Sequence, residues 1–146
     1  MKKTKVMVVI ALFTGILATG CLKENNNDTP IPAPAGKFDG KFVVIKKRTT
    51  GGVVRYDTTK TPLKLNLTTD SKYVVSGDTT GTHAASHGNF AYNYYYIQFT
   101  DETLPDSSSK RHLNGTYQYY YDGLLLQIGA ANDTMKVVYD LKKTAE

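Results

Sequence analysis

Apolar and polar residues alternate with a period of two along most of the chain from residue 37 onward. Six segments carry this alternation, and they begin at Phe38, Leu63, Tyr95, Tyr117, Leu124 and Met135. Successive side chains of a β-strand point to opposite faces, so this spacing predicts strands that bury one face. No stretch of a dozen residues in this part of the sequence shows the spacing of three and four that marks an amphipathic helix. The pattern therefore predicts an all-β domain over residues 37–146.

Clusters of glycine, asparagine, aspartate and serine punctuate these segments at the spacing of successive hairpins. The clusters fall at residues 50–52, 69–71, 76–78, 122–123 and 131–133. Segments and turns together predict about eight or nine antiparallel strands. Closing such a meander into an up-and-down barrel of about eight strands removes the exposed edges that an open sheet would leave. A two-sheet β-sandwich is the alternative.

The first 20 residues have the composition of a cleaved secretory signal. Three lysines within residues 2–5 precede an apolar stretch of 12 residues at 6–17, which is too short to cross a hydrocarbon core of about 30 Å as a helix. Small residues at 19–20 lead into Cys21. This context resembles a bacterial lipobox. The resemblance implies a diacylglyceryl group on the Cys21 sulfur and a fatty acyl chain on its amino group, which together hold a protein on a membrane.

Residues 21–36 are predicted to form the lipidated cysteine and a flexible tether. They are rich in asparagine and proline and contain almost no apolar side chain that could enter a core. Lys23 and Glu24 resemble the export signal that places some lipoproteins of Bacteroidota on the outer leaflet of the outer membrane. The expected location is therefore the cell envelope, as an outer-membrane lipoprotein that faces either the cell surface, as this resemblance implies, or the periplasm.

The net charge gives little reason to expect a nucleic-acid partner. The whole chain carries 18 basic and 13 acidic side chains, but three of the lysines lie in residues 1–20, which are expected to be removed. The mature chain then has a formal charge of +2, too weak for a protein that neutralises many phosphates. A basic run at 46–48 is typical of a solvated strand end. Because Cys21 is the only cysteine, no disulfide and no cysteine-based zinc site is expected in the domain.

The domain resembles the lipocalins at short motifs. The tripeptide Gly-Lys-Phe at 40–42 is similar to their Gly-X-Trp motif, with phenylalanine in place of tryptophan. Two later runs look like the closing strands of small lipocalin-like lipoproteins of Bacteroidota, at 113–117 and 139–143. The resemblance implies a barrel closed by a cation-π contact between Phe42 and either Lys142 or Lys143. The alternative is that Phe42 is simply a core residue.

Few groups in the sequence suit catalysis or metal binding. His83 and His87 can share a strand face and hold a metal together with Asp78, but the small polar residues around them are typical of a loop or an irregular edge strand. The sequence contains no nucleophile elbow, phosphate loop or Cys/His dyad. We therefore expect a protein without enzyme activity, metal or cofactor.

Tyrosine is the dominant aromatic residue, with 11 copies against no tryptophan. Its ring supplies apolar area and its hydroxyl a polar contact, which suits either a ligand cavity or a contact surface. We expect a small apolar or glycan ligand inside the barrel mouth, lined by Tyr73, Tyr95, Phe99, Tyr117 and Tyr119. The alternative is a protein-interaction module, such as an accessory subunit or an inhibitor of an envelope protein, that uses exposed Tyr94, Tyr96 and Tyr120. A large void inside the barrel favours the first function, and a filled interior with outward tyrosines favours the second.

Overall fold

Eight antiparallel strands make up the domain in the computed structural model, which describes residues 32–77, 81–104 and 109–145. Their bounds are β1 (Gly36–Thr50), β2 (Val53–Leu67), β3 (Lys72–Gly77), β4 (Ser86–Tyr92), β5 (Tyr96–Asp101), β6 (Gly115–Tyr121), β7 (Leu125–Ala131) and β8 (Met135–Lys143). Each strand pairs with the next one in the chain, and β8 pairs with β1. The sheet thus closes into the up-and-down barrel that the sequence predicts, and the two-sheet sandwich is excluded.

Several sequence predictions fall outside the described residues. Residues 1–31 hold the expected signal peptide, Cys21 and most of the expected tether, and Asp78 also lies outside the described part of the chain. Lipidation and export stay predictions for this reason. In the described part, no helix is long and apolar enough to cross a membrane.

The two ends of the barrel carry different segments. β1 begins and β8 finishes at one end, together with the turns at 68–71, 93–95 and 122–124. We call this the entry end, because the chain enters the barrel there at Gly36. The opposite end carries the β1–β2 hairpin and the β3–β4 and β5–β6 connections, and we call it the arm end.

The β1–β2 hairpin extends beyond the barrel at the arm end. β8 pairs with β1 as far as Lys46, and β3 pairs with β2 from Leu63 onward. The outer part of the hairpin, residues 48–56, forms a two-stranded ribbon that we call the arm. Its tip is Gly51 and Gly52, whose φ angles of 59° and 79° are those of the turn type that matches the twist of a two-residue hairpin.

The barrel interior is filled with side chains. Inward residues from all eight strands form one apolar cluster. Its bulkiest fully buried members are the aromatic residues Tyr73, Tyr139, Phe38, Phe42 and Phe99. An eight-stranded barrel is just wide enough for side chains to fill, and these rings occupy that width.

Two predicted strand starts are wrong by one residue. The alternation predicts Tyr95 and Leu124 as the first inward residues of their strands, but β5 begins at Tyr96 and β7 at Leu125. The reason lies in the residue that opens each turn. Asn93 Oδ1 accepts the backbone N–H groups of Tyr95 and Tyr96 at 2.9 Å each, and Asp122 Oδ1 accepts those of Leu124 and Leu125 at 2.9 and 2.7 Å. Such side-chain caps hold the backbone in a turn before the strand can begin.

Gly40 lies where the backbone of β8 comes close to β1. A Cβ atom at this position would clash with the backbone carbonyl of Asp140 on β8. A glycine in a strand commonly marks such a close backbone approach. The glycine of the 40–42 tripeptide thus has a direct steric role in closing the sheet.

Candidate binding surfaces on the barrel

Three of the five residues predicted to contact a ligand lie together inside the barrel, where they are part of the packed core. Tyr73, Phe99 and Tyr117 are only 1%, 1% and 5% exposed. The rings of Tyr73 and Phe99 lie 5.1 Å apart, and those of Phe99 and Tyr117 lie 6.1 Å apart. The tyrosine hydroxyls donate to the backbone carbonyls of Leu113 and Asn114 at 2.7 and 2.9 Å. The rings of Tyr73 and Tyr117 are thus packed in the core, and their hydroxyl groups are hydrogen-bonded within the protein.

The other two predicted contacts lie at the entry end. Tyr119 is half-buried at the rim, where its hydroxyl donates to the Asn93 carbonyl at 2.8 Å. Tyr95 lies in the β4–β5 turn with 67% of its surface exposed. The prediction that Tyr95 lines the interior is wrong, because the turn carries it outside the barrel.

Phe42 is fully buried, and its partners are aromatic. The Phe42 ring lies 4.8 Å from the Tyr139 ring and 4.8 Å from the His83 ring. Lys142 and Lys143 lie three and four positions beyond Tyr139 on β8, a displacement of about 10–13 Å along the strand. The predicted contact of either lysine with Phe42 is therefore wrong, and Tyr139 is the β8 residue that packs against it.

His83 closes the arm end of the barrel from the β3–β4 connection. It is 2% exposed, with Nδ1 lying 2.7 Å from the Ala84 carbonyl and Nε2 lying 2.9 Å from the Tyr139 hydroxyl. A carbonyl can only accept, so Nδ1 carries the proton and the Tyr139 hydroxyl donates to Nε2. Burial lowers the pKa of His83 to about 4, and burial raises the pKa of Tyr139. Both side chains are therefore neutral at pH 7.

The proposed pairing of His83 with His87 as metal ligands is not what the structure shows. His87 lies on the outer face of β4 and is exposed, whereas both ring nitrogens of the buried His83 contact protein groups. Within residues 32–77, 81–104 and 109–145, no three histidine or acidic side chains converge as metal ligands.

A second buried histidine anchors the β5–β6 connection. His112 Nδ1 lies 2.7 Å from the Asp101 carboxylate, and the Asp101 side chain is completely buried. The Thr103 backbone N–H also donates to this carboxylate, at 2.8 Å. The pair fixes the start of the loop that carries Lys110 and Arg111.

Two connections cross the arm end and pair with each other. The Arg111 N–H donates to the Thr82 carbonyl at 3.0 Å, and the Ala84 N–H donates to the Arg111 carbonyl at 2.9 Å. His83 and Arg111 thus form a short parallel bridge. Arg111 is positioned by this backbone pairing, and its guanidinium lies 3.6 Å from the Met135 sulfur.

A cleft of about 730 Å³ lies between these connections and the base of the arm. Its lining includes three cationic side chains, Lys46, Lys110 and Arg111. The hydroxyl and amide groups of Thr59, Thr82, Ser109 and Asn114 add hydrogen-bonding capacity, the His112 ring also lines the cleft, and Val44, Leu104 and Met135 supply apolar area. We call this site the arm-end cleft. Its surroundings suit a small anionic ligand with several hydroxyl groups.

No single motif in the sequence predicts the arm-end cleft. Lys46 belongs to the basic run 46–48, and Lys110 with Arg111 forms a short basic pair more than 60 residues later. Each alone is typical of solvated surface. They meet because β1 finishes, and the β5–β6 connection crosses, at the same end of the closed barrel.

A shallow groove of about 480 Å³ runs along the outer face of β6, β7 and β8. Gly129 opens it by lacking a side chain, between Tyr120, Gln127 and Lys136. Tyr94, Tyr96 and Tyr120, the residues of the predicted interaction surface, are all exposed. The three side chains are thus exposed, as the sequence analysis expects, and the interaction function itself stays a prediction.

Comparisons with known proteins do not identify a family or a function for this chain. The chain matches no known protein-family profile and no curated protein sequence. A solved structure of an uncharacterized protein from Bacteroides eggerthii DSM 20697 is similar, with a TM-score of 0.41 and 12% sequence identity over 75% of this chain and 98% of that one.

Proposed function

We propose that this chain is a lipid-anchored, non-catalytic binding protein of the bacterial cell envelope, and that it binds an acidic glycan at the arm-end cleft. The observation that carries the proposal is the cleft itself, in which three cations from two distant parts of the chain face hydroxyl and amide donors. The barrel serves as the rigid scaffold that holds these groups in place.

The filled interior supports a ligand at the mouth of the barrel rather than inside it. Tyr73, Phe99 and Tyr117 use their rings in core packing and their hydroxyls in internal hydrogen bonds. Opening a cavity among them would remove apolar contacts that stabilise the fold. A ligand at the arm-end cleft requires no such rearrangement.

The lining chemistry favours a carboxylated or phosphorylated sugar. Arginine pairs with planar carboxylates through two parallel hydrogen bonds, and lysine contributes a compact charge. Thr59, Thr82 and Asn114 offer groups that can exchange hydrogen bonds with sugar hydroxyls. The apolar faces of a sugar ring can rest on Val44 and Met135.

The surroundings of the cleft support binding without catalysis. The carboxylate of Asp101 is fully buried and is already bound by His112 and Thr103. His83 is neutral and uses both ring nitrogens within the protein. These groups support the shape of the arm end, and we assign no reaction to them.

Calorimetric titration of the chain from residue 22 tests the proposal. The eight strands of the described part of the chain, and the core they enclose, lie within residues 36–143, so this chain keeps the whole barrel and loses the lipid site. We expect oligogalacturonate to bind and a neutral glucose oligomer of equal length to bind at least tenfold more weakly. The double variant Lys46→Gln/Arg111→Gln should lose most of the binding, whereas Lys142→Gln, at the entry end, should not. Equal affinity for the acidic and the neutral oligomer would contradict the proposal.

A protein-interaction module is the second candidate function. Exposed Tyr96 and Tyr120, together with the outer groove, support it, since tyrosine is enriched at the centre of protein interfaces. A Tyr96→Ser/Tyr120→Ser variant separates the two functions. If the arm-end cleft is the binding site, this variant should bind oligogalacturonate as the wild type does. If Tyr96 and Tyr120 form the binding surface, the variant should no longer co-purify with an envelope protein.

A further inference from the structure

The entry end of the barrel exposes large apolar side chains at the tips of two turns. Tyr94 and Tyr95 lie at the tip of the β4–β5 turn, and Leu124 lies at the tip of the β6–β7 turn. All three expose about two thirds or more of their surface, with Leu124 the most exposed at 73%. We call Tyr94, Tyr95 and Leu124 the entry-end tips.

The tips are held outward by their own turns. Asn93 accepts two backbone N–H bonds in the first turn and Asp122 accepts two in the second. The rings of Tyr94 and Tyr95 also contact each other at 4.8 Å, edge to face. These local bonds fix the backbone that presents the apolar side chains to solvent, so their exposure is built into the turns.

The composition of the entry-end tips differs from that of other turns in the same barrel. The β2–β3 turn, at the same end, is Thr-Thr-Asp-Ser at 68–71, and the tip of the arm is Gly51-Gly52. Turn tips are usually polar because they face water. Three large apolar residues at two neighbouring tips point to contact with something less polar than water.

The place where the chain enters the barrel suggests which surface lies against the tips. Gly36 enters the barrel at this same end and lies 15 positions after Cys21, a length that spans at most about 50 Å when fully extended. A lipid on Cys21 would therefore keep the barrel within about 50 Å of a bilayer, and the chain that leads to the lipid leaves the barrel at the entry end.

Basic side chains accompany the apolar tips. The backbone N–H of Lys143 donates to the Leu124 carbonyl at 2.7 Å, which places the end of β8 beside that tip. Lys142 and Lys143 are both exposed there. Lysines beside an exposed leucine, with exposed tyrosines on another turn at the same end, form a combination found where proteins rest on a lipid headgroup layer.

We propose that the entry end is a membrane-contact surface, in which the tips enter the headgroup region of a phospholipid bilayer and Lys142 and Lys143 lie against lipid phosphates. This inference deepens the proposed anchoring at Cys21 and rests on it for orientation, but it is independent of the glycan at the arm-end cleft. It gives the protein a fixed pose, with the cleft directed away from the membrane.

Vesicle flotation of the chain from residue 22 tests the surface without the lipid. We expect the protein to float with vesicles of three parts phosphatidylcholine and one part phosphatidylglycerol, and to float less with phosphatidylcholine alone. The variant Tyr94→Ser/Tyr95→Ser/Leu124→Ser should reduce the bound fraction at least fivefold. The matched control Val53→Ser/Val54→Ser/Tyr56→Ser removes three exposed apolar residues from the arm and should bind as the wild type does.

A fluorescent probe reports insertion directly, because the chain has no tryptophan. A Leu124→Trp variant should shift its emission to shorter wavelength when the anionic vesicles are added, and Tyr56→Trp on the arm should not. Wild-type flotation no greater than that of the triple tip variant, or equal shifts from both probes, would overturn the proposal and favour a protein partner at the tips. Failure of the anchor itself would appear separately, as the absence of fatty-acid label on Cys21 in cells.

Discussion

The Tyr139 hydroxyl donates a hydrogen bond to Nε2 of His83 at 2.9 Å, where both side chains are fully buried. The bond joins the last strand of the barrel to the connection that crosses its arm end. Phe42 packs against both rings at 4.8 Å, so strand β1 takes part in the same cluster. Three distant parts of the chain therefore meet in one aromatic group that closes this end of the barrel.

The buried His83 makes stability depend on pH. The folded chain holds the imidazole neutral down to a pKa of about 4, whereas the unfolded chain protonates it below about pH 6.5. The unfolded state therefore binds more protons between these values, and the free energy of unfolding falls as pH drops from 6.5 to about 4. We expect this loss to reach up to about 3 kcal/mol.

Urea denaturation of the wild type and of His83→Gln at several pH values checks this expectation. The difference in stability between the two proteins should shrink through the same pH window, since glutamine does not titrate. A difference that stays constant from pH 7 to pH 4 would show that His83 is not the responsible group.

Removing the Tyr139 hydroxyl should leave an unsatisfied acceptor on His83. Because the Nε2 atom is buried, we expect Tyr139→Phe to lower the free energy of unfolding by about 1–3 kcal/mol. Tyr56→Phe, which removes a hydroxyl from the exposed arm, is the control and should change stability by less than about 0.5 kcal/mol. Chemical denaturation of both variants measures the two effects.

The partner of Phe42 can be identified by double-mutant cycles. Phe42→Leu combined with Tyr139→Leu should show a coupling of about 0.5–1.5 kcal/mol, since their rings are in contact. The stability effects of Phe42→Leu and of Lys142→Met or Lys143→Met should add, because the lysines lie about 10 Å or more along β8 from Tyr139, the residue that packs on Phe42. Coupling to a lysine would restore the cation-π closure that the lipocalin resemblance implies.

Gly40 should resist substitution for a steric reason. A methyl group there would clash with the Asp140 carbonyl, whereas one at Gly129 would lie at an ordinary 3.5 Å from the Val137 carbonyl. We expect Gly40→Ala to destabilise the barrel by more than about 1 kcal/mol and Gly129→Ala to be tolerated. Thermal unfolding of the two variants compares them directly, and similar melting temperatures would argue against close packing of β1 on β8.

Cys21 is expected to carry the lipid. In a bacterium that processes lipoproteins, the wild type should incorporate labelled palmitate and sediment with membranes, and Cys21→Ser should not take up the label. Label in the Cys21→Ser protein would contradict the lipoprotein assignment, because the chain has no second cysteine.

The alternation of apolar residues was sufficient to determine the fold class. Leu63, Leu65 and Leu67 are all buried, as period two requires. The turn signals predicted that successive strands are joined by hairpins. With about eight such strands, closing the sheet into a barrel leaves no exposed edge strands, which favoured the barrel. These are local properties, and each can be stated for a short segment without reference to the rest of the chain.

The first residue of a strand was less predictable, because a side chain that caps the preceding turn can hold an apolar residue outside the strand even where the alternating pattern includes it. Tyr95 and Leu124 continue the period of two, yet the hydrogen bonds of Asn93 and Asp122 hold them in turns. Moving either residue into its strand would break the backbone bonds to the cap, so the capped turn competes directly with burial of one more apolar side chain. An apolar residue two positions after asparagine or aspartate was therefore a poor guide to the barrel interior.

By itself the sequence determined the all-β class, six segments that lie in strands, and a closed up-and-down barrel with one apolar face inside. Only the tertiary structure decided that Tyr139 and His83, rather than a lysine, pack on Phe42, and that Lys46 and Arg111 line one cleft. The physical reason is register. Which residues of distant segments lie side by side depends on how the strands align when the sheet closes, and on which end each connection crosses, and no short stretch of sequence carries that information.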